Sequence, residues 1–293
     1  MFGAFYIIYL KCFESISLSW SLFIDVLINS KVLKISSAII LIIMSILNWW
    51  LEIIKWQLLV KSIRSISFFE AFKQSTSSLT ASLITPNRIG EYGAKALYYS
   101  KYEAKNIVTS NLIGNLSQLF WTLIFGTCGL IYLFNTYSFN LPVSTNNIFV
   151  SVLIGLCFFC AIFWIYKKFN FNINELKISK TAVFKVILLS LLRYIVFSFQ
   201  FYAILRFFNI ELSFIEALAF ISSTYILASV VPIISLFDVV IKGSIAVFLF
   251  DLAGINSILI LSTVLTMWLL NFAIPAIIGS YYVINYSSKS VLV

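Results

Sequence analysis

The sequence predicts an all-α polytopic membrane protein, with about five to six full spans plus two re-entrant broken helix hairpins in an inverted repeat. Three observations carry this reading. Of 293 residues, 61% are hydrophobic and 11% charged, against roughly 45–50% and 25% in soluble domains, and a water-soluble chain of this size cannot hide so much apolar surface. Long stretches carry no charge, and a spanning helix needs about 20 apolar residues. Finally, a Pro-containing segment recurs at an offset of 146 residues.

The elements follow in chain order. Residues 1–31 read as a partial first span and an extracytoplasmic connection: Phe2–Leu10 is apolar but too short to cross alone, and no small-residue cleavage site follows it. Val32–Val60 is a span that carries Trp49, Trp50, Trp56, Glu52 and Lys55. Residues 106–166 hold no charge over 61 positions, room for two spans with a turn at the polar stretch Asn135–Asn147 around Pro142. Thr181–Phe208 is a further span with Arg193 inside it, and the 37 uncharged residues between Asp251 and Lys289 supply another despite Pro275. The whole chain, 1–293, forms a single membrane domain.

Loop charges set the orientation. The side that receives the end of the Val32–Val60 span carries Lys61, Arg64, Lys73, Lys101, Lys105, Lys167, Lys168, Lys177, Lys180 and Lys289, against Lys31, Lys34 and Arg206 opposite. Ten against three places the first side, and with it the C-terminus, in the cytoplasm. The net charge of +9 is therefore topology and not a nucleic-acid footprint. The absence of His removes imidazole catalysis and His-ligated metals, and no cofactor or metal is expected. Cys157 and Cys160 form a C-x-x-C with apolar flanks, read as two small residues on a buried helix face.

The repeat aligns Ile66–Phe72 with Leu212–Leu218, then Ser77 with Ser223 and Pro86 with Pro232, giving 6 identities in 21 positions. Beyond the prolines the offset is 147, matching Glu91 with Asp238, Lys95 with Lys242 and Trp121 with Trp268. Repeat one covers about 32–134 and repeat two about 181–285. Each reads as span, broken segment, span, and the number of crossings between them makes the copies inverted. Inverted repeats with Pro- or Gly-interrupted segments point to a binding site near the bilayer midplane.

Thr85–Lys95 is the informative stretch. Pro86 ends a half-helix, Asn87 is placed to cap the next, and Gly90, Gly93 and Ala94 share a face open to close approach, with plain helix packing the blander reading. Arg88 stands beside that end. An i,i+4 ion pair stabilises a helix by only about 0.2–0.5 kcal/mol. A charge at the bilayer centre costs about 2.5–3.5 kcal/mol. Helix support is thus too small a reason for Glu91–Lys95 and Asp238–Lys242 at depth. Two readings stay open: mutual neutralisation locking two hairpins, and a polar cavity in which Arg88, Lys95 and Lys242 attract an anionic headgroup while Glu91 and Asp238 set the cations. Glu52, Lys55 and Arg193 are secondary candidates, and Glu70 and Glu216 are repeat-start residues near the interface.

Thr85-Pro-Asn-Arg-Ile-Gly-Glu91, preceded by Asn48 and Lys55-Trp56, resembles the flippase-like transmembrane family typified by the membrane region of lysylphosphatidylglycerol synthases. The resemblance runs from about Asn48 to Tyr282. It implies movement of a lipid with a polar headgroup between leaflets. Asn87 stands where that family usually has Gly, and Leu236 and Asp238 depart similarly in the second copy; the soluble aminoacyl-transferring domain is absent, so synthase activity is not implied. The expected function is a membrane lipid translocase whose partner is a lipid with a phosphate or other polar headgroup; homo-oligomerisation is left open. Alternatives are an intramembrane transferase with Glu91 or Asp238 as general base, although no catalytic motif is recognisable, or a small-solute or ion transporter. A scaffold for other membrane proteins is the fallback.

Overall fold

The computed structural model describes residues 20–137, 178–231 and 234–286. These are helical apart from short connections: α1 Trp20–Asn29, α2 Ile35–Val60, α3 Phe68–Ser82, α4 Ile89–Ala96, α5 Ala104–Thr136, α6 Lys180–Phe207, α7 Phe214–Val230, α8 Asp238–Asp251, α9 Ser257–Trp268 and α10 Ile274–Ile284. A π-helical stretch, Leu269–Ala273, fuses α9 and α10. Among the described residues, four segments are long and apolar enough to cross a membrane: α2, α5, α6 and Ser257–Ile284. They coincide with predicted spans to within a few residues at most ends. The predicted second crossing after Asn147, Cys157 and Cys160, most of 1–31, and Pro232 itself lie outside the described residues.

The four long segments present apolar side chains outward. On α2 the exposed face is Ile39, Ile40, Ile42, Ile43 and Ile46, while Ser45, Asn48, Glu52 and Lys55 are buried. Lipid as the outer solvent explains this arrangement, because hydrocarbon tails accept isoleucine at no cost and the polar stripe must turn to the bundle interior.

The two Ser-Phe-x-Glu-Ala segments begin helices in the same way. Ser67 starts α3 with a capping box in which its hydroxyl accepts from Glu70 N–H and Glu70 accepts from Ser67 N–H. Ser213 and Glu216 do the same for α7. Glu70 and Glu216 are therefore cap residues, which satisfies the free amides of a first turn. At 15 and 17 residues, α3 and α7 are about 22 and 25 Å long, short of the roughly 30 Å hydrocarbon core.

Packing is reciprocal between the copies. α3 lies against α10, α7 lies against α5, and the first spans α2 and α6 pair with each other. Two glycines permit the close approaches. A Cβ on Gly279 would fall 2.1 Å from Thr76 O, and one on Gly129 would fall 2.2 Å from Ser222 Oγ; Thr76 and Ser222 are themselves 146 residues apart. Small residues that let backbones meet are the usual adhesive of helices in lipid. α3 buries an unusual run of hydroxyls, and most of them bond back to its own carbonyls. Thr76 donates to Phe72 O, Ser77 to Gln74 O, Ser78 to Ser75 O and Ser82 to Leu79 O, the local back-bonding open to Ser and Thr in helices.

The breaks meet in space. Pro86 and Ile234 form an antiparallel bridge, and Leu236 N–H donates to Leu83 O at 3.1 Å. Leu83 O and Leu236 N–H, one at each break, thus satisfy each other, as backbone groups must wherever water is excluded. The breaks differ in detail. After Pro86 the chain turns through two left-handed residues, Asn87 (φ 50°) and Arg88 (φ 58°), while the second copy enters α8 by a 3₁₀ turn, Ser235–Phe237.

Candidate functional site

The first break is built differently from the expected Asn87 cap. Arg88, not Asn87, holds the N-cap position of α4, and its own side chain makes no capping hydrogen bond. Thr85 supplies the missing acceptor by taking the Gly90 N–H at 2.9 Å. Asn87 instead occupies the left-handed region, which Asn tolerates better than other residues with a side chain; this is the physical reason a Gly suits that position. Gly90 is needed for packing, since a Cβ there would fall 2.5 Å from Ala81 O. Gly93 faces open space, so the shared close-approach face expected for Gly90, Gly93 and Ala94 does not form.

Residues on either side of α4's first turn create the charged centre. Glu91 lies between two cations, with Arg88 Nη2 at 3.2 Å and Lys95 Nζ at 2.9 Å. Lys95 also donates to Asn111 Oδ1 at 2.6 Å and stands 4.2 Å over the Trp56 ring. Its ammonium is almost wholly buried, whereas the Arg88 side chain is 46% exposed. Trp56 is fixed edge-on by its N–H to Gln74 Oε1 at 2.8 Å, and Tyr99 O–H shares that acceptor at 2.9 Å. Burial outweighs this hydrogen bond at Tyr99, in the connection after α4, and pushes its phenol up to about 12.

A second carboxylate repeats the pattern on α2. Glu52 Oε2 receives both Lys55 Nζ and Arg193 Nη1, each at 2.6 Å. Lys95 and Glu52 lie within electrostatic reach of each other, as do Glu52 and Glu91, so the two carboxylates and four cations make one cluster. The secondary sequence candidates Glu52, Lys55 and Arg193 thus share one charged cluster with Glu91 and Lys95. Asp238 and Lys242 pair with each other at 2.6 Å, both partly exposed. Among the described residues no hydrogen bond or ion pair joins them to Glu91 or Lys95, in contrast to the expected single constellation of both copies. The copies diverge in the partners they offer: Lys95 meets Asn111 and Trp56, whereas the repeat offsets place Phe220 and Ile258 at the positions of Gln74 and Asn111.

From Glu52 a chain of amides continues inward. Arg193 Nε donates to Asn48 Oδ1 at 3.1 Å, Asn48 donates to Asn271 Oδ1 at 2.9 Å, and Asn271 donates to Gln200 Oε1 at 2.9 Å. Asn271 sits in the π-helical stretch, a feature frequent at functional sites. Its position also has a local cause. Pro275 has no N–H to offer the carbonyl four residues earlier, and Trp49 Nε1 fills that vacancy at 3.1 Å. Asn111, Gln200, Asn271 and Gln74 escaped the sequence reading because only charges were sought in the apolar spans. An amide in such a span carries the same signal more weakly.

An apolar cavity of about 300 Å³ lies between α5, α6 and α7, lined by Phe125, Tyr132, Tyr194, Ile195 and Phe199 among others. None of the predicted site residues lines it. Among the described residues no group of His, Cys, Asp and Glu could hold a metal ion, and the carboxylates of the cluster are already committed to cations.

Comparison with curated proteins and with solved structures found no match. A family model described as the lysylphosphatidylglycerol synthase TM region matches residues 10–279, a span that contains both breaks and every charged and amide residue of the cluster. The chain is a multi-pass membrane protein that belongs to the lysylphosphatidylglycerol synthase TM region family.

Proposed function

We propose that this protein moves a lipid with an anionic polar headgroup between the leaflets of a bacterial plasma membrane, its C-terminus on the cytoplasmic side. The headgroup would meet the Arg88–Glu91–Lys95 cluster, and α3–α4 and α7–α8 would act as two re-entrant hairpins of an inverted repeat. One observation carries the reading: a cluster of two carboxylates and four cations lies against a broken helix in an apolar bundle. Intramembrane charge of this kind is costly and is retained for substrate or ion pathways.

The hairpin reading draws support from short α3 and α7, from their identical capping boxes and from breaks that bond to each other. The inverted repeat draws support from the exchange of partners, α3 with α10 and α7 with α5. A membrane-lipid role also agrees with the family. The site offers no free general base, because Glu91 and Asp238 are both ion-paired, and this disfavours a transferase.

The test is leaflet exchange of headgroup-labelled anionic lipids in proteoliposomes. Acceleration that is lost on changing Arg88 and Lys95 together to Ala is expected. No acceleration across the lipid panel, or full activity in that double variant, would refute the reading.

A further inference from the structure

We propose that the cluster takes a doubly charged phosphate, the phosphomonoester or diphosphate end of a membrane lipid, in preference to a singly charged phosphodiester. This rests on the lipid-translocase reading and sharpens it. The first ground is charge balance. Lys55, Arg193, Arg88 and Lys95 surround only Glu52 and Glu91, which leaves two cations in surplus. Asp238 and Lys242 neutralise each other and add nothing. Lys55 and Lys95, each 2% exposed, face one carboxylate apiece, so the surplus falls on Arg193 and Arg88, whose side chains are 22% and 46% exposed and open to an incoming anion. A phosphomonoester brings about −1.5 to −2 charge and three acceptor oxygens at neutral pH.

The second ground is a set of unused donors. Asn111 is 2% exposed; its Oδ1 accepts from Lys95, but its Nδ2 has no acceptor. Lys55 Nζ meets Glu52 at 2.6 Å and, among the described residues, has no further acceptor, which leaves donors of its three-donor ammonium unused. Both lie along one face of α5: Lys55 Cε is 3.6 Å from where a Cβ on Gly114 would stand, one turn from Asn111. An anion at that face gains two idle donors and two surplus charges together. A headgroup carrying its own ammonium finds both carboxylates occupied and is disfavoured there.

The experiment measures lipid binding to the purified full chain in detergent by competition against a fluorescent phosphatidic acid. The competitors are phosphatidic acid, phosphatidylglycerol with the same acyl chains, and inorganic phosphate. Phosphatidic acid is expected to bind about 10-fold or more tighter than phosphatidylglycerol, the scale of one charge-assisted hydrogen bond. Asn111→Asp, nearly the same shape but carrying a charge that consumes part of the surplus, should reduce that preference to about threefold or less. Lys55→Met, used only if it elutes and melts like the wild type, should do the same.

Equal affinity for the two lipids, or a preference that survives Asn111→Asp, overturns the proposal. Inorganic phosphate competing as well as phosphatidic acid assigns the site to free phosphate and overturns it too. A lipid preference with no leaflet exchange of either lipid refutes the translocase reading alone. Exchange of both lipids without preference refutes this inference alone.

Discussion

Lys95 is the residue on which the charged centre turns, and Lys95→Met isolates its role. The substitution keeps the aliphatic stem and removes an ammonium 2.9 Å from Glu91, 2.6 Å from Asn111 Oδ1 and 4.2 Å from the Trp56 ring. Removing one member of a buried ion pair costs about 3–5 kcal/mol because the remaining charge stays buried. Here Arg88 still reaches Glu91 at 3.2 Å, which favours the lower end. The orphaned Asn111 oxygen pulls the other way, by about 1–3 kcal/mol. A net loss of about 3–4 kcal/mol follows, since neighbouring contributions do not simply add. On the scale of soluble domains of 150–250 residues that is roughly 6–16 °C in Tm.

The companion variant is Glu91→Gln with Lys95→Met. It removes the pair as a unit and leaves Arg88, half-exposed, to find water. Most of the lost stability should return, to within about 1–2 kcal/mol of the wild type. Melting in detergent, followed by fluorescence-detected gel filtration, measures both variants. A single variant that costs less than about 1 kcal/mol would mean the pair is solvated, as exposed pairs are. A double variant no better than the single would mean that Lys95 acts through packing and not through charge. The same proteins in liposomes separate lock from function: a stable and inactive double variant is expected, and a stable, fully active one would make Glu91–Lys95 only a lock between helices.

Helix packing and proton affinity supply two further tests. Gly279→Ala should destabilise by about 1–3 kcal/mol, the cost of overpacking, because the new methyl meets the Thr76 carbonyl; Gly93→Ala, inside α4 and facing open space, should raise stability by up to about 1 kcal/mol through helix propensity, and equal effects from the two would refute the close α3–α10 contact. Tyr99 keeps its proton up to about 12 in the folded protein, so between pH 10 and about 12 the unfolded chain binds fewer protons and stability falls as pH rises. Below pH 10 this phenol makes no contribution to the slope. Tyr99→Phe should flatten the decline of Tm over that interval, and an unchanged slope would show that the phenol titrates as though exposed.

Sequence alone determined the class of the solvent around this chain. Runs without charge, such as 106–166 and 252–288, are readable because apolar length has a direct physical requirement in the bilayer. The repeat marked Glu70 and Glu216 as equivalent starting points, and the structure adds that Ser67 and Ser213 begin helices there through capping boxes, contacts between residues three apart that need nothing from the rest of the fold. The pairing of Glu91 with Lys95 and of Asp238 with Lys242 was also legible, because i,i+4 spacing places each pair on one helix face.

What the tertiary structure decided is which of these charges share a site. Glu52 and Arg193 lie on helices 141 residues apart in the chain, and nothing local in either span announces the other. Their union with Lys95 depends on α2 packing against α6 and on α4 packing against α5. Asp238 and Lys242 pair with each other instead, although the repeat in the sequence treats them as equals. Local patterns specify elements because their energies come from neighbours in sequence. A buried polar cluster is specified by long-range packing, which satisfies some charges in pairs and, at Lys55 and Asn111, leaves donors without acceptors.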